Sequence, residues 1–399
     1  MKRKLWFVLA LLVITATVLS ACGGNSAGNI KPPAPAATSN TANNNTANNN
    51  TANNNNAGSS SAGNSSANGP IVLNGAGATF PLPVYTEWIQ MYKSVAPNVT
   101  INYQGIGSGG GQKAIFDGTV DFAGSDSLLS EEQYKKMPDL QMLPMLAGAV
   151  VPIFNIPNVD SLVLDGPTLA AIYLGKITKW NDPAIAKLNP NVSLPDEAIT
   201  VAHRSDGSGT TEIFTSYLGA VSQEWKDKVG IGKAVEWPVD NMGQGVGGKG
   251  NPGVAQAVQS TPYSIGYVEL AYAKSNHIPA AKLVNAAGNV VEANAETMQD
   301  AMAAFADAFD ERLTAKIVNA PGKKSWPIMG YTYLIIHMKD NKDCAKTKAL
   351  LNFIKWAITS PEAAKKAAEL GYAALPQAVQ QKVLAKLQQV ECNGQKVMP

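Results

Sequence analysis

The sequence is poor in the residues on which most metal and nucleophile chemistry depends. It has three histidines, His203, His277 and His337, and three well-separated cysteines, so a multi-ligand zinc centre has few candidates. Charge is sparse, at 16% of 399 residues, and 32 Lys and Arg nearly balance 30 Asp and Glu. Residues 1–70 contain no Asp or Glu and only four cations, Lys2, Arg3, Lys4 and Lys31. The other 329 residues therefore hold 28 Lys and Arg against all 30 acids, a net of −2. Binding to nucleic acid is excluded on this count, because phosphate-backbone affinity needs clustered cations. Beyond residue 20 no apolar run approaches the ~18 residues of a spanning helix, which excludes a multi-span membrane protein. What is present in quantity is hydrophobic residue, 45% of the chain, enough for a large core and two or three domains.

The cationic Lys2-Arg3-Lys4 and the short apolar stretch Leu5 to Leu19 read as an export signal over residues 1–21. Leu19-Ser20-Ala21-Cys22 resembles a bacterial lipobox, in which Cys22 becomes the first mature residue and carries lipid. Residues 22–70 are expected to be the lipidated cysteine and a disordered tether rich in Asn, Thr and Ala, with too few large apolar residues to offset the entropy of ordering. As a Gly-like coil the tether spans ~35–40 Å. The body of the protein is thus expected outside the cytoplasm, lipid-anchored to the cell membrane and facing the periplasm or the cell exterior.

From Ile71 onward, strand, Gly-rich turn and helix alternate, which predicts α/β layers with largely parallel sheets. Pro83 opens a helical stretch with Val84, Trp88 and Met91 on one face. Ser360 and Pro361 start another. Met298, Met302, Phe305 and Phe309 have the spacing of one buried helix face. With Cys22 lipidated, Cys344 and Cys392 are left to pair in an oxidising compartment.

Four turns recur at strand ends: Gly75 to Phe80, Gly105 to Gly111, Gly124 to Asp126, and Arg204 to Thr210. In open α/β sheets that edge is where ligands bind. Helix amino termini present unpaired N–H groups that suit anions, Ser and Thr add hydroxyl donors, and Arg204 brings a fork that matches an oxyanion. The pattern predicts a site for a small tetrahedral oxyanion. Two other motifs compete. Gly105-x-Gly107-x-x-Gly110 with Asp126 some twenty residues on fits a dinucleotide fingerprint, but an exported chain has little access to nicotinamide. Gly243 to Lys249 nearly fits a phosphate loop, yet Gly250 stands where Ser or Thr must ligate magnesium, and the flanks read as neither strand nor helix. No cofactor is expected.

Those turns, with Leu164-Asp165-Gly166, Ile172 to Ile177, Gly247 to Asn251 and Ile265 to Glu269, resemble the periplasmic phosphate-binding protein of phosphate ABC transporters, from about Ile71 to the carboxyl terminus. The resemblance implies a two-lobed periplasmic-binding-protein (Venus-flytrap) fold, each lobe a mostly parallel sheet flanked by helices, closing by a hinge on one dehydrated phosphate. Lobe I is expected over 71–150 and 327–399, and lobe II over 151–326. It implies delivery of inorganic phosphate to membrane permease subunits by a monomer that is not an enzyme. Thr79, Phe80, Ser108, Arg204, Ser208, Gly209 and Thr210 are implied as donors to phosphate, with Asp206 holding Arg204. Gly109 stands where the family often has Ser, removing one hydroxyl. Asp126, ionised, would accept the O–H that phosphate retains near neutral pH and sulfate lacks. Alternatives are a receptor for another tetrahedral oxyanion such as sulfate, or an exported phosphatase with Ser208 as nucleophile, for which His203 is the nearest base in sequence.

Overall fold

The computed structural model of the chain describes residues 69–398. The export signal, Cys22 and the tether up to residue 68 lie outside the described residues. Among those described, no helix is long and apolar enough to cross a membrane.

The folded chain opens with three parallel strands, β1 (Ile71–Gly77), β2 (Val99–Gly105) and β3 (Phe122–Ser125), connected through α1 (Leu82–Val95) and α2 (Ser108–Phe116). Pro83 sits in the first turn of α1, where its missing N–H has no intrahelical partner to lose. Val84, Tyr85, Trp88 and Tyr92 form the buried stripe of that helix. Trp88 Nε1 donates to Ala363 O at 2.9 Å, and Tyr92 meets Phe353 edge-on, so the first helix is packed against the last part of the chain. The short α3 (Glu131–Lys136), opened by a Ser130/Gln133 capping box, leads into β4 (Leu140–Asn155).

The middle of the chain runs β5 (Val163–Asp165), α4 (Gly166–Tyr173), α5 (Pro183–Leu188), β6 (Thr200–Arg204), α6 (Gly209–Val221), α7 (Gln223–Lys228), β7 (Gly245–Gly248), α8 (Gly250–Ser260), β8 (Ser264–Glu269) and α9 (Leu270–Ser275). A three-stranded sheet joins β5 to β9 (Lys282–Val284) and β10 (Val290–Val291), and α10 (Ala295–Ala303) follows. The chain returns in β11 (Met329–His337) and ends with α11 (Cys344–Thr359), α12 (Pro361–Leu370), β12 (Ala373–Ala374), α13 (Gln377–Leu387) and a small hairpin.

The main sheet has the order β2-β1-β3-β11-β4-β8-β6-β7, with β12 added on β4. Its two ends are parallel, as the alternation predicts, while β4 and β11 run antiparallel to their neighbours. β4, buried at all but its last position, changes partner midway: Leu140 to Ala149 pair with β11, and Val150 to Asn155 with β8. Two consequences follow. Strands β1 to β3 run with β4, whereas β6, β7 and β8 run against it, so the carboxyl ends of the two halves face one another. The turns after those strands therefore meet in the middle.

Two features differ from the sequence reading. The Met298 to Phe309 stripe is not one helix: α10 ends at Ala303, and Phe309 instead packs on Tyr331 with centroids 4.8 Å apart. Asp310 ends the segment by accepting from the N–H groups of Arg312 and Thr314 and from the Thr314 hydroxyl. The Gly243 to Lys249 stretch is followed by a helix, α8, but no strand directly precedes it: a 3-10 turn over Asp240–Met242 comes before, and β7 lies within the motif at Gly245–Gly248. The glycines gave no apolar periodicity by which to see β7 or α8, and a motif whose residues are paired as a strand with β6 is not a phosphate loop.

Cys344 and Cys392, 48 residues apart, are bonded and tie the start of α11 to the terminal hairpin. Closing a loop of that length removes entropy from the unfolded chain. Replacing both cysteines by serine is expected to lower the unfolding free energy by about 2–4 kcal/mol, measured by denaturant titration under non-reducing conditions.

Candidate functional site

Each turn is placed by the strand before it. Thr79 and Phe80 follow β1, Ser108 opens α2 after β2, and Asp126 follows β3. Arg204 ends β6, and Ser208, Gly209 and Thr210 form the start of α6. The third turn is not a helix start, since α3 begins only at Glu131; it contributes a side chain instead of backbone donors.

These turns are in contact. Gly209 N donates to Ser108 Oγ at 3.1 Å, and Gly109 N donates to Gly207 O at 2.9 Å. A Cβ on Gly209 would lie 2.5 Å from Asp126 Cβ, so only glycine lets the α6 terminus approach this closely. Gly107, with φ +81°, turns the chain into α2; a Cβ there would lie 2.4 Å from Asp206 Oδ2. Ser208 caps α6 by accepting from Thr211 N at 3.1 Å, which leaves its hydroxyl proton free to donate. The N–H groups of Phe80 and Thr210 have no partner among the described residues.

Arg204 is the only cation among these groups. Its side chain is 1% exposed, and it forms a fork with Asp206: Nε to Oδ1 at 2.7 Å and Nη2 to Oδ2 at 2.7 Å. Nη1 is buried with no partner among the described residues. A donor so placed is costly unless something accepts from it. Asp206 also accepts from Gly250 N at 3.0 Å. Burial raises the Asp206 pKa, but the Arg204 bonds and charge and the Gly250 N–H outweigh it, and the carboxyl sits below its ordinary value.

Asp126 has the opposite fate. Its Oδ1 accepts from Thr332 Oγ1 at 2.7 Å, and its Oδ2 lies 3.3 Å from Ser108 Oγ. Burial raises its pKa to about 7, against the lowering by Thr332, Arg204 and Ser108, with Glu212 adding to the rise. The carboxyl expected to be simply ionised is therefore poised between acceptor and donor near neutral pH.

Three sets of residues escaped the sequence reading. Asn251, fully buried at the start of α8, donates to both Thr79 Oγ1 and Thr210 Oγ1. Thr332 reaches Asp126 from β11 beside a bulge where Thr332 pairs with Leu146 and Tyr333 with Pro144, skipping Met145. Pro144 lacks the N–H that a regular ladder would use there. Lys233 Nζ meets Gln112 Oε1 at 2.6 Å, and Ser127 Oγ donates to Glu212, two polar contacts between the halves of the sheet. The segment Gly247 to Asn251 was visible as a motif, and Asn251 could have been found there. Nothing in the sequence marked Thr332 or Lys233. His203, in β6, is engaged by Asp240 at 2.7 Å and stacks on Trp237.

Residues 39–362 match the family model described as the PBP superfamily domain. The phosphate-binding protein PstS of Pasteurella multocida (strain Pm70) is 46% identical over 319 residues, spanning 79% of this chain and 89% of that protein. The phosphate-binding protein PstS of Methanocaldococcus jannaschii is 42% identical over 328 residues, spanning 77% of this chain and 84% of its own length. Among solved structures, the phosphate binding protein of Stenotrophomonas maltophilia has the same fold, with a TM-score of 0.58 at 21% identity over 79% of this chain and 93% of its own.

The raised Asp126 carboxyl bears on stability. Between its ordinary value of 3.8 and about 7 the folded chain keeps a proton that the unfolded chain has lost. Stability therefore falls as pH rises through that window. In Asp126→Asn without added anion this part of the slope, on the order of a few kcal/mol, is expected to vanish from melting curves taken between pH 4 and 8.

Proposed function

The chain belongs to the phosphate-binding PstS family within the PBP superfamily, and on that premise we propose how its residues capture phosphate. The function is binding of inorganic phosphate and its delivery to an ABC transporter for import. The observation that carries the site assignment is Arg204 Nη1, a buried cationic donor with no protein acceptor among the described residues, amid further donors from three turns.

In this reading Arg204 Nη1, the hydroxyls of Thr79, Ser108, Ser208 and Thr210, and the N–H groups of Phe80 and Thr210 donate to phosphate oxygens. Gly209 keeps the start of α6 close enough to take part. Asp206 keeps the guanidinium oriented and offsets its charge before phosphate arrives. Asp126, once ionised, accepts the phosphate O–H; Thr332 occupies Oδ1, and Oδ2, which faces the Ser108 hydroxyl at 3.3 Å, takes the ligand proton when that hydroxyl turns its own proton to phosphate. Sulfate would set a lone pair against that oxygen. Sites built around one required hydrogen bond reject the analogue that lacks it by roughly 10⁴–10⁵.

The lobes are assigned to 71–150 with 327–399, and to 151–326, with the hinge at the partner change of β4 near Ala149 and Val150. Val150 N donates to Ile328 O at 2.9 Å there, and Trp326 Nε1 donates to Val150 O at 3.0 Å, which supports a return crossing near Trp326. The chain acts as an exported monomer held to the membrane through lipid on Cys22, facing the periplasm or exterior, and hands phosphate to permease subunits without catalysing a reaction.

Two measurements test this. Calorimetry of the purified chain is expected to give tight, one-to-one phosphate binding, weakened by about 100-fold or more in Arg204→Met, as for loss of a buried charged donor; unchanged affinity in that variant would remove Arg204 from the site. The phosphate-to-sulfate affinity ratio is expected to fall as pH drops from 8 to 5, because protonated Asp126 becomes a donor that sulfate can use. In Asp126→Asn the ratio should be small and independent of that carboxyl across the range, and a ratio that matches the parent's would sink the discrimination role.

A further inference from the structure

We infer that Asn251 is a positioning residue that turns the hydroxyl protons of Thr79 and Thr210 toward the anion, an inference that rests on the phosphate-receptor reading above. Its carboxamide is 0% exposed and every hydrogen-bonding group on it is used. Nδ2 donates one hydrogen to Thr79 Oγ1 and the other to Thr210 Oγ1, each at 3.0 Å. Oδ1 accepts from Glu269 N at 2.9 Å. That last bond fixes which way the amide faces, because a flipped amide would set its NH₂ against an N–H.

The effect on the two threonines follows from counting. A hydroxyl has one proton to give and two lone pairs to receive. Thr79 Oγ1 receives from Asn251 Nδ2 and also from Asn251 N at 3.0 Å, so both lone pairs are filled. Only its proton remains. Thr210 Oγ1 has one lone pair filled by the same amide. One side chain at the start of α8 therefore sets the polarity of a hydroxyl after β1 and another in the first turn of α6. Gly250, with φ +70° and its N–H on Asp206, brings Asn251 to that point.

This makes Thr79 an obligate donor and biases Thr210 the same way. Phosphate oxygens that carry no proton fit against them, and the O–H of the ligand is directed to Asp126. Asn251 thereby acts on specificity through the threonines, because both hydrogens of its amide are spent on them. A free threonine hydroxyl could rotate to accept from a ligand O–H, and the division of labour with Asp126 would blur.

A double-mutant cycle tests the inference, with inorganic phosphate as the titrant in calorimetry of the full chain at pH 8. Asn251→Leu is expected to weaken phosphate binding by about 10-fold or more, and this penalty should shrink at least threefold in Thr79→Val and in Thr210→Val backgrounds. A penalty of the same size in all backgrounds, or no penalty in the parent, overturns the inference, because a merely structural asparagine would not couple to the hydroxyls. If Asn251→Leu fails to fold by its melting curve, Asn251→Ser, too short to span both hydroxyls, takes its place in the same cycle. Absence of phosphate binding by the parent would instead overturn the receptor reading itself, and the two failures are told apart by that first titration.

Discussion

A guanidinium taken out of water has to be matched by a nearby negative charge, and here the match is made within three residues. Arg204 and Asp206 close a two-bond fork at the end of β6, and Gly250 adds an N–H to the same carboxylate. The fork uses Nε and one side of Nη2, so Nη1 is left pointing away with its donors unspent. Burial of the pair is tolerable because the charges cancel locally, and useful because the remaining donors keep a strength that water would take from them. The surrounding turns are arranged about that point. Gly107 and Gly209 exist to let backbone approach it, and α6, α2 and α8 each bring an amino terminus to it.

The sheet explains why so many turns can converge. β4 is shared by both halves, and the halves run in opposite directions along it, so every strand end that carries a site residue faces the same gap. Asp126 and Thr332 then come from adjacent strands of one half, Arg204 and Thr210 from the other. The bulge opposite Pro144 sits within the β11 stretch that delivers Thr332, a place where a regular ladder would have aimed that side chain differently.

Much of this was legible in the chain. Glycine, serine and threonine at strand ends, with one arginine, were enough to indicate a small oxyanion, and the family resemblance then implied the individual residues after β1, β2, β3 and β6. What could not be read depended on distance along the chain. Asn251 contacts Thr79 across 172 residues and Thr210 across 41, and Thr332 meets Asp126 across 206. A threonine inside Tyr331 to His337 looks like an ordinary strand residue until its neighbour is known. The Asp126 pKa was equally hidden, since composition says nothing about burial. The stripe through Phe309 failed for another reason: helical spacing is necessary for a helix, but after Ala303 the backbone closes tighter three-residue turns, and Asp310 caps the turn beyond them.

The internal pairing of Arg204 has a consequence for how an anion arrives. Because the one cation of the site is already matched by Asp206, and the folded part of the chain is slightly acidic, little attractive field reaches into solution. Encounter is then governed by diffusion, without the long-range steering that accelerates capture at many charged sites. The same feature frees the receptor from its surroundings. Dissolved salt screens exposed charges over about a Debye length, but it hardly touches hydrogen bonds made by buried groups. A site whose donors are buried is thus expected to hold its affinity across a wider range of ionic strength than one built on surface charge.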